Sequence, residues 1–529
     1  MWRLRLLKLL VIGWTFLILF WLASLQVLHR KAPRIKFISR VDLPAKRGEI
    51  FDRNGKPLAI NVPGLMVYQI ADSDSVNPKD VLDSLELKVL PKLPEGKLAY
   101  LIGYGLPYSA KSDLNLVKGL KIEDFWSRKL IDPAYRSLVG IVGMEGHGLS
   151  GVEYALDSLI LAGKHGYRYA YRTADGRLMF GVDLPQNPPV DGGDIWLTID
   201  ADIQAFCYEQ LKMWVESHDA LHGMVIVADP NTGELLAVVN YPDNGDYAVT
   251  DPYEPGSTFK IVAHSYAYEH KIIHPEDSID TGEGFIDFKK HRIRDVHPLG
   301  KITWRDALVH SSNVATSKLA LRLGAHALVD QALKFGFLAP TGVILSGESY
   351  SPPRDSIAGW DSVTVAGFSI GQGLLVNGIQ MVMAYSAIAN GGYLLMPKLI
   401  RAYEKDGKIV KTPSRIVVRK VLNRSTDSLL TEILVEVVDS GTGRLARIPN
   451  VKVAGKTGTA QKFDKKTGRY SWTRVTGSFI GFFPADEPKY IVYVVIDEPH
   501  KGSSYGGYIA APLFRKIALW LLTRETFRM

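Results

Sequence analysis

Glu254-Pro255-Gly256-Ser257-Thr258-Phe259-Lys260 opens a helix that reads on to about Tyr268. Proline and glycine break the chain just before Ser257, so the serine falls at the helix N-terminus. Ser257 and Lys260, three residues apart, share one helix face. A serine hydroxyl is a weak nucleophile and needs a base to take its proton. A lysine is that base only when its ammonium is destabilised, which burial and the positive end of a helix dipole both achieve. By itself the pair says little, since about one or two Ser-x-x-Lys spacings arise by chance in a chain of this length.

Two further clusters gain meaning beside the first. Ser311-Ser312-Asn313 lies within or between helical segments, after Trp304–His310 and before Val314–Leu321. A hydroxyl and an amide two residues apart have the groups to relay a proton and to hold both Lys260 and a substrate amide. An exposed polar turn would carry the same residues. Lys456-Thr457-Gly458-Thr459 follows the apolar lead Val451–Gly455. Alternate residues of a strand face one side, so Lys456 and Gly458 oppose Thr457 and Thr459. The absent side chain at Gly458 leaves room for a ligand against the strand. Lys466-Thr467-Gly468 repeats the triplet in a polar loop and is given no function. Gly455-Lys456-Thr457 also approaches a phosphate-binding loop. That loop needs glycine where Asn450 stands, and a helix where Ala460–Tyr470 is polar.

Outward from these clusters, Gly223–Ala228 and Leu235–Val239 are apolar, strand-length runs joined by the turn sequence Asp229-Pro230-Asn231-Thr232-Gly233. Ser478–Phe483 and Tyr490–Ile496 form a second hairpin around Pro484–Pro488. Trp304–Gly324 and Gly378–Ala389 are helical candidates, and Pro512–Leu522 is a closing amphipathic helix. An antiparallel sheet flanked by helices, α+β, is the simplest assembly. Upstream, Arg47–Ala59 reads as a hairpin in which Asn54-Gly55 supplies the two φ > 0 positions of a type I′ turn. The chain then mixes short strands and loops to about Gly181, and Pro185-Gln186-Asn187-Pro188-Pro189 marks a domain boundary.

The chain has 529 residues, 46% of them hydrophobic, enough for two to four folded domains. Its single cysteine, Cys207, excludes an internal disulfide framework and a cysteine-based zinc site. A net charge of +8 suits work beside an anionic membrane or wall polymer. No dense Lys/Arg run with interleaved aromatics argues for nucleic acid. Arg3, Arg5 and Lys8 precede an apolar run, Leu9–Leu28. About 20 helical residues cover roughly 30 Å, the thickness of a bilayer core. A cleaved signal peptide fits less well: the run is long, and Ala23-Ser24-Leu25 is a poor cleavage site. Arg30, Lys31, Arg34 and Lys36 flank the far side, so charge asymmetry does not set the orientation. The expected division is a tail over 1–8, a transmembrane helix over 9–28, and domains over 29–190 and 191–529.

In this order, Ser257-x-x-Lys260, Ser311-x-Asn313 and Lys456-Thr457-Gly458 resemble the motif set of penicillin-binding proteins and class A β-lactamases, with Ser-Ser-Asn in place of Ser-Asp-Asn. From about Arg47 to Arg515 the chain is similar to the class B penicillin-binding proteins. Arg47-Gly48-x-Ile50-x-Asp52-Arg53-Asn54-Gly55 resembles the family's first non-catalytic motif. Gly151-Val152-Glu153 with Leu161–Gly166 resembles a later one. Leu197-Thr198-Ile199-Asp200 resembles the opening of the transpeptidase domain. The arginine-tyrosine-proline motif between them is not matched by Asp132–Arg136. Gly477–Ala485, Val495–Pro499 and Tyr505-Gly506-Gly507 are most similar to the division-specific septal branch (FtsI type), ahead of the rod-elongation branch.

The resemblance implies a single-pass anchor, an elongated mixed α/β pedestal and a transpeptidase domain of serine β-lactamase-like fold. It implies that Lys260 takes the proton of Ser257. Ser257 then attacks the penultimate D-Ala of a peptidoglycan stem peptide, and backbone N–H groups of Ser257 and Thr459 form the oxyanion hole. Ser311 shuttles a proton, and Asn313 orients Lys260 and the acyl chain. Lys456, Thr457, Gly458 and Thr459 hold the substrate and its terminal carboxylate. It implies no metal or cofactor. The implied partners are D-Ala-D-Ala stems, β-lactams, and a polytopic SEDS-family glycosyltransferase with other divisome membrane proteins. Such a substrate lies outside the bacterial cytoplasmic membrane, so the C-terminal domains are expected to be extracytoplasmic. Against a β-lactamase or penicillin sensor stands the absence of a clear deacylating glutamate. Against a bifunctional polymerase stands the short N-terminal part. The intact triad argues against a non-enzymatic divisome scaffold.

Overall fold

The computed structural model describes residues 2–28, 38–70, 99–117, 119–172, 178–179, 184–288, 291–352, 357–464 and 468–526. They form two compact units, Met1–Ala45 with Lys164–Asp191, and Lys46–Gly163 with Gly192–Met529. In the first, strand Ile38–Leu43 pairs antiparallel with Gly166–Arg172, from Ile38 opposite Tyr171 to Leu43 opposite Gly166. Trp2–Leu28 is one continuous helix of 27 residues. Its apolar side chains, among them Val11, Trp14, Phe16, Phe20 and Trp21, are exposed. Among the described residues no helix is long and apolar enough to cross a membrane.

The second unit holds two large sheets. A five-stranded antiparallel sheet runs in the order Leu235–Tyr241, His222–Ala228, Tyr490–Asp497, Arg469–Phe483, Ala454–Asp464. The hairpins read at Gly223–Val239 and Ser478–Ile496 are in it, the second with Phe483 opposite Tyr490. Their near-continuous apolar residues are buried because helices cover both faces. Ala201–Ser217 and Ala511–Thr526 pack on the sheet and on each other, with Phe206 and Trp520 stacked 4.2 Å apart. Gly378–Ala389 is buried along its whole length, as an all-round apolar helix must be. Asn377 and Gln380 close its N-terminus in a capping box.

A seven-stranded sheet joins distant parts of the chain. Ile195–Leu197 lies parallel to Ile50–Phe51 and antiparallel to Ile400–Lys405, and Pro57–Ile70 pairs with both Ala99–Pro107 and Leu120–Leu130. Beside it, Arg47 is buried against Glu153 at 2.6 Å and Asp157 at 2.5 Å, and Arg128 reaches Glu153 at 2.6 Å. The expected type I′ turn at Asn54-Gly55 is corrected. Only Gly55 has positive φ, +84°. The Asp52 carboxylate accepts from the N–H of Asn54 at 2.7 Å and of Lys56 at 2.8 Å. An aspartate that satisfies the loop's own donors replaces the second left-handed residue.

Candidate active site

Gly256–Lys260 is a single 3₁₀ turn that runs into helix Ile261–Glu269. Gly256 has φ +54°, and a Cβ there would lie 2.8 Å from the Thr459 carbonyl. Glycine therefore lets the serine turn rest directly on the Lys456 strand. Tyr385 donates its hydroxyl to the Thr258 carbonyl at 2.8 Å, and Thr258 Oγ1 donates to the Pro255 carbonyl at 2.7 Å. Phe259 is clamped between Phe337 and Phe368, at 5.0 and 5.2 Å between ring centroids. Gly256, Thr258, Phe259 and Lys260 are buried, and Ser257 alone in this turn stays partly exposed.

The helical stretch read over Trp304–Gly324 is broken where the chemistry needs it. Trp304–Val309 ends, and Asn313–Leu323 begins with Ser312 as its cap. Between them Ser311 takes φ +60°, a conformation that costs a non-glycine residue about 1 kcal/mol or more. Ser311 thereby turns both its carbonyl and its hydroxyl to the lysines. Lys260 Nζ donates to the Ser311 carbonyl at 2.5 Å and to its Oγ at 3.2 Å. Lys456 Nζ donates to the same Oγ at 2.9 Å. One hydroxyl thus joins two buried amines.

Two ammonium groups out of water, sharing a neutral partner, cannot both stay charged cheaply. Burial holds Lys260 well below the ordinary lysine range, and the charge of Lys456 pushes it the same way, while Asp295 opposes. Burial lowers Lys456 to about 7. His264, one helical turn beyond Lys260 and fully buried, falls to about 3 through burial first and then the two lysines. A neutral amine at Lys260 has a lone pair for the Ser257 proton.

Asp295 went unnoticed in the sequence. Its carboxylate accepts from Ser312 Oγ at 2.8 Å and from the N–H of Asn313 at 2.5 Å and Val314 at 3.0 Å. It fixes the Ser311 loop from a segment 16 residues upstream, and no local pattern marks it. Glu254 was missed too. Its Oε1 accepts from the Gly373 N–H at 2.9 Å and from the Tyr470 hydroxyl at 3.0 Å, although the sequence carries it three residues before Ser257.

The Lys456 strand, Ala454–Asp464, is the edge of its sheet. Thr457 and Thr442 share a hydroxyl contact of 2.8 Å, and Thr459 Oγ1 accepts from the Gly506 N–H at 3.1 Å. A Cβ at Gly458 would meet Ser478 Oγ of the neighbouring strand at 2.2 Å and Thr258 Cγ2 of the serine turn at 3.0 Å, so glycine lets both pack against this strand. The Asn313 amide donates to the Arg294 carbonyl at 2.7 Å. Lys466 and Thr467, the repeated triplet, lie outside the described residues.

A buried serine–lysine turn packed on the edge strand of an antiparallel sheet has the groups that acyl transfer through a serine needs. Residues 223–519 match the penicillin binding protein transpeptidase domain, and the chain belongs to that family, in its class B branch. It is 35% identical over 418 residues to penicillin-binding protein PbpB of Mycobacterium tuberculosis, covering 74% of this chain and 60% of that protein. It is 29% identical over 508 residues to the peptidoglycan D,D-transpeptidase FtsI of Escherichia coli, covering 89% of this chain and 82% of the relative. The crystal structure of penicillin binding protein 3 from M. tuberculosis complexed with aztreonam superposes with a TM-score of 0.71 at 29% identity, over 92% of this chain and 97% of the other.

Proposed function

We propose that the protein is a peptidoglycan D,D-transpeptidase that acts through an acyl-enzyme on Ser257 and is blocked by β-lactams. The observation that carries this is the bridge of Lys260 and Lys456 through Ser311, one helical turn from a partly exposed Ser257. Neutral Lys260 accepts the proton as Ser257 Oγ bonds to the carbonyl carbon of the penultimate D-Ala. Backbone N–H groups of Ser257 and Thr459 receive the oxyanion. The proton passes through Ser311 to the departing amine, and the terminal D-Ala leaves. Lys456, Thr457 and Thr459 hold the substrate carboxylate. An amine of a second stem then attacks the ester and gives up its proton to Lys260, which returns it to Ser257 Oγ as the acyl–oxygen bond breaks. Asn313 contributes to the acyl chain's side of the cleft, and Gly458 keeps strand and serine turn in contact.

The domain over 191–529 carries this reaction, and 29–190 is the pedestal. Residues 9–28 span the cytoplasmic membrane once, with 1–8 inside and the C-terminal domains outside. The support is an all-round apolar helix with exposed Val11, Trp14, Phe16 and Phe20, which water does not favour. The septal branch is supported by likeness to FtsI. With that branch come a polytopic SEDS-family glycosyltransferase and other divisome membrane proteins as partners. Fluorescent penicillin tests the core of the reading: wild-type protein should carry a label that survives denaturation, and Ser257→Ala should carry none. Undiminished labelling of Ser257→Ala would remove Ser257 from the chemistry.

A further inference from the structure

Outside the cleft, one surface is unlike the rest of the molecule. Residues 405–420 hold six cations, Lys405, Lys408, Lys411, Arg415, Arg419 and Lys420, and one carboxylate, Asp406. Among the described residues none of these six cations is paired with a carboxylate. The backbone there forms two strands with open edges. Lys408–Lys411 is the last strand of the seven-stranded sheet, and Val417–Lys420 is half of a two-stranded ribbon with Tyr393–Leu395. Every residue of both strands is exposed. Their apolar residues are β-branched, Ile409, Val410, Val417 and Val418 at 62, 38, 49 and 43% exposure, and Ile416 just before the second strand is 42% exposed.

Lysines on an edge strand protect against self-pairing, and that protection needs no exposed valines and isoleucines beside it. A two-stranded ribbon is marginal in water, and a third strand completes it. Open N–H and C=O groups, β-branched side chains on the strand and a surplus of positive charge define one kind of occupant. We propose that Val417–Lys420 is a docking edge for an extended peptide segment of a protein partner, carrying both acidic and apolar residues, added as a strand to the ribbon. Backbone hydrogen bonds give the pairing, the valines take the apolar side chains, and the cations take the carboxylates. Like charge disfavours pairing of this edge with the same edge of a second copy. A polyanion would use the cations alone. A bilayer would call for aromatic and long apolar side chains, and the segment offers short branched ones.

The test uses the full chain in detergent and an acetylated, amidated, fluorescent peptide of alternating valine and glutamate. Anisotropy should show saturable binding. The same peptide N-methylated at alternate residues, which removes strand donors, and octaglutamate should each bind about tenfold or more weakly. The double variant Arg415→Glu, Lys420→Glu should bind about tenfold or more weakly while labelling with penicillin at the wild-type rate. In wild-type protein, hydrogen exchange at 416–420 should slow when the peptide is added. Equal binding of octaglutamate would make the surface a polyanion site and overturn the proposal. So would binding of phosphatidylglycerol vesicles through 405–420 without peptide binding, or no peptide binding at all.

Discussion

Ser311 concentrates the active-site physics in one residue. Its left-handed backbone is held from outside by Asp295, which accepts from Ser312 and from two N–H groups of the next helix. Asp295→Ala should lower penicillin acylation about 10- to 100-fold, the scale of losing alignment at a reacting group. It should also move the pH profile. Acylation needs neutral Lys260, so its rate rises with pH through the lysine's lowered pKa. Asp295 raises that pKa, so its loss should shift the acid limb to lower pH; a fall in rate with the limb unmoved would mean a merely structural role. Lys456 carries a cost. Folded, it titrates at about 7, while unfolded it binds its proton up to about 10.4. The unfolded state therefore holds more protons between those values, and this group's contribution to stability rises as pH climbs from about 7 to about 10.4 and is least favourable below. Lys456→Met should raise the melting temperature at pH 7 more than at pH 10. The same variant should slow acylation about 10- to 1,000-fold, as expected for losing an electrostatic stabiliser; a lower melting temperature at pH 7 would contradict the burial cost. The three motifs were legible as a set, because residue type and order carry the chemistry. Asp295 was not, because its bonds run to residues distant in sequence.

Among elements, those with a strong local signal came out as read. Gly378–Ala389 is apolar but for Gln380 and Ser386, it follows Asn377, and it is one helix with those bounds. The hairpin at Pro484–Pro488 follows from turn chemistry between two apolar runs. Over Trp304–Gly324 the sequence leaves Ser311–Asn313 within or between helical segments, and the structure has two helices; Asp295, which holds the break at Ser311, lies outside any local window around it. The seven-stranded sheet was not foreseen. Ile195–Leu197 is three residues long, and its partners sit more than a hundred residues away on either side. The resemblance of Arg47 and Gly151-Val152-Glu153 to family motifs acquires a physical content here: Glu153, 1% exposed, pairs with both Arg47 and Arg128. Removing one partner of a buried pair leaves charge without compensation, at about 3–5 kcal/mol. Glu153→Ala should therefore lower thermal stability sharply, read by calorimetry, while the fraction still folded labels with penicillin. A variant as stable as wild type would show that the arginines find water when the carboxylate goes.

At the scale of the molecule, a reaction on wall peptides and an N-terminal apolar helix belong together. The helix should keep the protein in the membrane fraction after a carbonate wash, and mature protein should begin at or near Met1. A mature terminus beyond Ser24 would replace the anchor with a cleaved leader. Net charge suits the proposed setting, but neither charge flank decides orientation, so the proposed orientation rests on the chemistry of the site. The central claim is a long-lived ester on Ser257, and intact mass followed by peptide mapping of penicillin-treated protein measures it directly. One penicilloyl group per chain, on the peptide that carries Ser257 and persisting after free drug is removed, is the predicted result. A group found on another residue, or an adduct that turns over to free penicilloate within seconds, would contradict it.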